Sequence, residues 1–356
     1  MSRNRTRGGG TDIGGTFAGS AAALRKRVDR YFSRMFSSVA ALALVGASLA
    51  GASIPAAAQT QYRILVGYPP GGVQDQEARL FANKLREATG RPFVVETRTG
   101  AAGQLAAEAL LLAPPDGATL LMTADSNISV YPHTVKKAAY TPLTDFVPIA
   151  HTGDYRIALA VGAAVPASDL HTFIHWTQAQ PGPAGYGTAG AGTNLHFYGV
   201  LLAQVTGARM YHVPYRGTGP AIIDLIAGHI PAAVLPLGSL LPHVNAGKVR
   251  VLGQTGDNRS TSLPDVPSFK ELGYPALSFS GWYGLFARAG TPADIVDRYN
   301  EIVVRALRTP EVKQRMREFE LEIRELSPQQ FLAMVKADTE RWGPIIRGSG
   351  FTAGSE

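Results

Sequence analysis

The chain has 356 residues, 45% of them hydrophobic, no cysteine and a formal net charge of +7. This length and apolar content allow one large or two medium globular cores, while the missing cysteines exclude a disulfide framework, a thiolate metal site and a lipid-anchored Cys. The charge does not mark a nucleic-acid footprint: residues 1–34 hold 8 of the 34 basic and 2 of the 27 acidic residues, leaving 26 and 25, a net of +1, for the remainder.

Residues 35–58 are an uncharged, Ala/Leu/Val-rich run preceded by Arg25, Lys26, Arg27, Arg30 and Arg34. Basic flank, short apolar segment and the small-residue end Ala56-Ala57-Ala58 form an export signal, with cleavage expected after Ala58 and a periplasmic destination. The whole leader is 1–58, and either Met1 or Met35 starts it.

Behind it, Ile64-Leu65-Val66 is a short apolar strand that runs into Pro69-Pro70-Gly71-Gly72 and then a helix over 74–88, with Ala78, Phe81, Leu85 and Ala88 on one face and Gly90 at its end. Residues 93–96 are a second strand, 100–103 a turn, 104–113 an Ala/Leu-rich helix and 119–122 a third strand after Pro114-Pro115-Asp116-Gly117. The rhythm continues with a strand at 157–161, a helix at 169–180 capped near Ser168 and a strand end at Tyr186-Gly187. A helix at 194–206 follows, then a strand at 210–213, a helix at 221–227 and a strand at 232–235. Next come a helical stretch at 242–246, strands at 249–255 and 279–287, helices at 293–308 and 311–318, a strand at 321–326 and a last helix from Ser327-Pro328 to about Trp342. Short alternating units predict parallel α/β sheets. There are more of them than one sheet of ordinary width needs. Two lobes are therefore expected, 62–162 plus 282–350 and 163–281, with crossings at 161–166 and 280–283.

Three loops are placed to hold an anion. The Pro69–Gly72 turn aims backbone N–H groups from a helix N-terminus, so Tyr68, Pro70, Gly71, Gly72 and Val73 are candidate contacts. Asp75 either steadies that loop or faces a polar part of the ligand. Residues 187–192 are Gly-rich and precede Thr193 as a helix cap, which adds Thr188, Gly190, Thr193 and His196. Tyr215, Arg216, Gly217 and Thr218 follow a strand and open a helix with Pro220 in its first turn. Ser126 follows the C-terminal end of a strand, where open α/β sheets bind ligands. Two such loops across one cleft suit a carboxylate, which accepts several hydrogen bonds.

The chemistry of turnover is not legible. Gly185-Tyr186-Gly187-Thr188-Ala189-Gly190 matches a dinucleotide fingerprint in form, but no acid stands near residues 208–209 to hold a ribose. The mature segment has no Gly-x-Ser-x-Gly elbow and no phosphate-binding Walker loop. His171 and His175 have helical metal spacing but lack an intervening Glu and a third ligand. No catalytic residue, metal or cofactor is expected.

Four stretches in order resemble the Bug-type (tripartite tricarboxylate) extracytoplasmic solute receptors: Tyr68-Pro69-Pro70-Gly71-Gly72-Val73-Gln74-Asp75, Ala113-Pro114-Pro115-Asp116-Gly117-Ala118-Thr119-Leu120, Val213-Pro214-Tyr215-Arg216-Gly217 and Leu263-Pro264-Asp265-Val266-Pro267-Ser268. The resemblance spans about Tyr62 to Trp342. It implies a two-lobed α/β periplasmic binding protein of Venus-flytrap type, each lobe a sheet flanked by helices. Such a receptor holds a small carboxylate between its lobes and delivers it, as a monomer, to membrane transporter subunits. The matching positions are Gly71, Gly72 and Asp75 in one lobe and Thr188, Gly190, Thr193 and His196 in the other. Val73 stands where a small hydroxyl residue is common, and residues 232–239 lack the acidic or amide residue often found near the cleft. That less polar wall makes an aromatic or aliphatic monocarboxylate a candidate beside the family's di- and tricarboxylates. Two rival readings remain at this point: a sensor of the same fold that feeds a signalling protein, and a periplasmic hydrolase of a small ester or amide.

Overall fold

The structure, a computed structural model, describes residues 61–351; the expected signal segment 1–58 and its cleavage point lie outside them. Along the chain the strands are β1 (Tyr62–Val66), β2 (Phe93–Thr97), β3 (Thr119–Ala124), β4 (Phe146–Tyr155), β5 (Ile157–Gly162) and β6 (Ala184–Thr188). They continue with β7 (Met210–Pro214), β8 (Ala232–Pro236), β9 (Val249–Gln254), β10 (Gly281–Arg288) and β11 (Leu321–Glu322). They form two sheets, ordered β11-β4-β10-β3-β1-β2 and β7-β6-β8-β5-β9. In the first, β1 pairs in parallel with β2 and β3, while β10 runs antiparallel to β3 and β4. In the second, β6 is parallel to β7 and β8, and β5 is antiparallel to β8 and β9.

The inner strands are buried on both faces, which is why they read as unbroken apolar runs. Every residue of β3, β5 and β8 is buried. Helices cover the sheets. Val73–Thr89 lays Ala78, Phe81, Ala82 and Leu85 on the first sheet and stops at left-handed Gly90, whereas Ala88 is exposed. On the other face of that sheet Phe331 packs edge-on against Trp282, with centroids 5.3 Å apart, and beside Phe286.

Several boundaries differ from expectation, each for a physical reason. β4 was not foreseen. Pro148 and the polar run His151-Thr152-Gly153-Asp154 hide any alternation, and the strand exists because β10 and β11 flank it. The passage between sheets falls at Arg156. β5, placed above in the first lobe, pairs entirely within the second sheet, so the crossing is not at 161–166. Asp169, not Ser168, caps the helix Leu170–Ala179, exchanging hydrogen bonds with Thr172. The expected strand at 321–326 shrinks to Leu321–Glu322. The last helix, Pro328–Ser349, runs past Trp342 and through Pro344, because Trp342 and Ile346 are still buried there. Its start carries the Ser327/Gln330 capping box.

Glu77 is fully buried on the first helix, and its two carboxyl oxygens have no hydrogen-bond partner among the described residues. Burial pushes its carboxyl from 4.5 up to about 8. The native state therefore holds more protons than the unfolded chain between those values. The stability contributed by neutral Glu77 is complete below pH 4.5 and is lost as pH rises toward about 8. Urea midpoints measured from pH 5 to 8 should fall with pH in the wild type and lie flatter in Glu77→Gln; parallel profiles would refute this. Phe331→Ala should cost about 3–5 kcal/mol, read from the same titrations at constant slope.

Candidate functional site

Strands β1, β3, β6, β7 and β8 all deliver their C-terminal ends toward one cavity of about 490 Å³ between the two sheets. From the first lobe, β1 leads into Tyr68–Gly72. Gly71 adopts φ +89, a conformation that only glycine takes without strain. Asp75 fixes the turn. Its carboxylate accepts the Gly71 N–H at 3.0 Å and Arg79 Nε and Nη2 at 3.0 Å each. Asp75 is thus 3% exposed, faces its own loop and does not line the cavity. Of the two roles left open for it, the structure shows the steadying one. The helix that follows has Gly72 as N-cap and no side chain capping it, and Gly72, Val73 and Gln74 face the cavity.

From the second lobe, two more helix ends arrive without a side-chain cap. Gly217, at φ +102, precedes Thr218–Ala227, and Pro236 precedes Leu237–Asn245. Gly217, Thr218, Gly219, Gly238 and Ser239 line the same cavity. Arg216 stands at its exposed rim, and none of the described lining residues is acidic. Three positive helix ends and one guanidinium, with no carboxylate among the described lining residues, give the cavity chemistry that suits an anion. Val73, Leu195, Ile222 and Pro242 supply apolar wall.

The helix Asn194–Thr206 behaves differently. Thr193 Oγ1 caps the His196 N–H, Asn194 Oδ1 takes the Leu195 N–H at 2.8 Å, and Ser126 Oγ takes the Asn194 N–H at 3.2 Å. The helix end proposed from sequence as the opposing jaw is therefore saturated by protein groups. The loop before it packs on itself. Thr188 Oγ1 bonds the Gly190 carbonyl at 3.1 Å and lies 2.7 Å from His212 Nε2. The His196 ring stacks on His212 with centroids 3.8 Å apart, and burial pushes His212 down to about 4. Thr188 and His196 do not line the cavity. Gly190 and Tyr215 line an adjoining cavity of about 570 Å³, together with the 99–104 turn. The Tyr215 hydroxyl donates to Asp224 at 2.7 Å, and burial with that bond raises it to about 12.

So the structure brings Tyr68, Pro70, Gly71, Gly72, Val73, Ser126, Thr193, Gly217 and Thr218 to one cavity, and leaves Asp75, Thr188, Gly190, His196 and Tyr215 off its wall. Sequence reasoning missed the floor. Tyr155 and Tyr283 lie there with ring centroids 4.6 Å apart, next to Asn194. Tyr283 sits in the expected crossing at 280–283, which was a usable signal; Tyr155 ends the unforeseen β4 and gave none. Beneath the floor, fully buried Asp125 accepts from Tyr155 at 3.0 Å and from Asn194 Nδ2 at 3.0 Å. Burial, with Asp338 nearby, pushes the Asp125 carboxyl well above its usual range. Among the described residues no group of three or more His, Cys, Asp or Glu could hold a metal; His171 and His175 lie on the exposed face of the helix Leu170–Ala179 with Nε2 atoms 3.2 Å apart.

Comparison with known proteins gives a consistent picture. The model of the tripartite tricarboxylate transporter family receptors matches residues 77–351. Protein BugT of Bordetella pertussis is 30% identical over 316 residues, covering 87% of this chain and 97% of that protein. An R. palustris protein solved with adipate superposes with a TM-score of 0.78 at 29% identity, over 82% of this chain and 98% of that one. MatC from Rhodopseudomonas palustris, solved with malate, gives 0.75 at 28% identity over 80% and 98%.

Because Asp75 holds the Gly71 N–H, Asp75→Ala should speed hydrogen exchange at the Gly71 amide and lower the melting temperature, whereas Asp75→Asn, which keeps an acceptor for Gly71, should retain most of the protection. Unchanged exchange in Asp75→Ala would show that the turn holds itself.

Proposed function

Because this chain belongs to the tripartite tricarboxylate transporter receptor family, we propose that it is exported to the periplasm, as members such as BugD are periplasmic binding proteins, and captures a small organic carboxylate between its lobes for delivery to a membrane transporter. The observation that carries this reading is the convergence of uncapped helix ends from both lobes on one acid-free cavity beside Arg216. Adipate and malate, bound by two structural neighbours, are of this class.

The ligand carboxylate sits at the Gly72–Gln74 helix end. There the partial positive charge of the macrodipole and free N–H groups replace its lost hydration. Its body runs along Val73, Leu195 and Ile222 toward the helix end at Gly217–Gly219 and the rim at Arg216, which either solvates or pairs a second polar group. That apolar stretch favours ligands with an aliphatic or aromatic body. Contacts from both lobes favour the closed arrangement over the open one, and the closed shape is what a membrane partner reads. No bond is made or broken in this scheme, and no cofactor is needed.

A thermal-shift screen of the purified protein against carboxylic acids tests the reading. A ligand that binds only the native state must raise the melting temperature. If no carboxylate does so while a neutral sugar or a metal ion does, the proposal fails. Gly72→Asp supplies the matched control. Gly72 has φ −69 and ψ 166, and an added Cβ meets nothing closer than 3.8 Å. Asp is itself a good N-cap, so unliganded stability should change by only a few tenths of a kcal/mol. The carboxylate-induced shift should vanish, since the new charge occupies the anion's place.

A further inference from the structure

The two lobes are joined at the cavity floor by a buried polar cluster, and one second-lobe residue, Asn194, makes every cross-lobe bond within it. Asn194 Nδ2 donates to Asp125 Oδ2 at 3.0 Å and to the Tyr155 hydroxyl at 2.6 Å. Asn194 Oδ1 accepts from Ser126 Oγ at 2.8 Å, and Ser126 Oγ in turn accepts the Asn194 N–H at 3.2 Å. Tyr155 closes the ring by donating to Asp125 Oδ1 at 3.0 Å. Asp125 and Ser126 follow β3 and Tyr155 ends β4, in the first lobe; Asn194 opens a helix that follows β6 of the second. All four residues are buried, at 0–5% exposure. The side-chain groups of Asn194, Asp125 and Tyr155 named here all have partners, so the network is of the satisfied kind that fixes a single geometry.

We propose that Asn194 is a positioning residue that latches the lobes together without any ligand, so that the helix end at 193–196 serves closure and not ligand capture. A hydroxyl of the first lobe, Ser126, takes the place that an anion would take at this helix end. The apolar contact of Phe197 with Val130, Trp342 and Ile346 also joins the lobes. Such contact is non-directional and permits sliding, whereas four hydrogen bonds on one amide residue specify the angle. When the lobes part, Asp125 and Tyr155 lose these partners together, so closure becomes a two-state event.

The latch rests on the two-lobed receptor reading, and its test is run without ligand so that the two can fail separately. The chain has no cysteine, so Leu112→Cys and Ile223→Cys, on exposed positions of the first and second lobes, accept spin labels without background. In the ligand-free protein the inter-label distance distribution should be dominated by one short population, and Asn194→Ala should add a longer one. Ser126→Ala, which removes two of the four cross-lobe bonds, should shift the distribution in the same direction and by less; it carries the test if Asn194→Ala does not fold. Where a carboxylate from the screen binds, Asn194→Ala should raise its dissociation rate about tenfold with a small change in association rate. A long-distance population already dominant in the unliganded wild type, or distributions that superimpose in the wild type and the folded variants, would overturn the latch whatever the carboxylate screen shows.

Discussion

The receptor is organised around one backbone event, the passage of the chain from the first sheet to the second at Arg156. β4 ends at Tyr155 and β5 begins at Ile157, so a single residue separates strands of different sheets. Arg156 is 8% exposed and is held on three sides. Its Nη1 donates to the carbonyls of Thr255 at 2.7 Å and Asn258 at 2.5 Å, and its Nη2 to Glu322 of β11. The same guanidinium therefore ties the segment that follows β9, at two carbonyls, to the edge of the first sheet. A charge so little exposed is tolerated because two carbonyls and a carboxylate accept from it. Tyr155 of the cavity floor is the residue next to this crossing and takes its position from it.

The two lobes contribute unequally to the cavity proposed to hold an anion. The first offers one helix end whose loop is ordered locally by Asp75, four residues along the same helix. The second offers two helix ends, before Thr218 and before Leu237, and the guanidinium of Arg216. Between them the helix end at Asn194 is already filled by side chains of the protein. Three open ends and one closed end thus surround a single cavity. Which of them is free is decided by side-chain capping, a property far more local than the fold.

This distinction marks where sequence reasoning succeeds and where it stops. The helix Asn194–Thr206 was legible to the residue, because Thr193 and Gly207 bracket an apolar run and supply cap and left-handed stop. The Pro69–Gly72 turn was legible for similar reasons. β4 was not, because its strand character comes from β10 beside it and not from its own residues. Thr188 and His196 looked equivalent to Gly72 as loop residues near a helix start, but their partners, Gly190 and the His212 ring, come from how the loop folds back and from the next strand. The floor residues Tyr155 and Asn194 meet only through tertiary structure. Local rules placed the helix ends; they could not tell which ends the protein itself would occupy.

The Asp75–Gly71 bond has a consequence for how ligand preference changes over evolutionary time. A turn held by a bond within its own helix start keeps its shape whatever the opposite wall contains, so the head-group receptor is modular. Under the proposed binding mode, substitutions at Ile222, Pro236, Ser239 or Pro242 reshape the wall of the cavity and leave the Gly71–Gly72 turn as it is. A scaffold with that separation can drift among acids of different chain length or aromaticity in single steps, without passing through a form that has lost its grip on the charge.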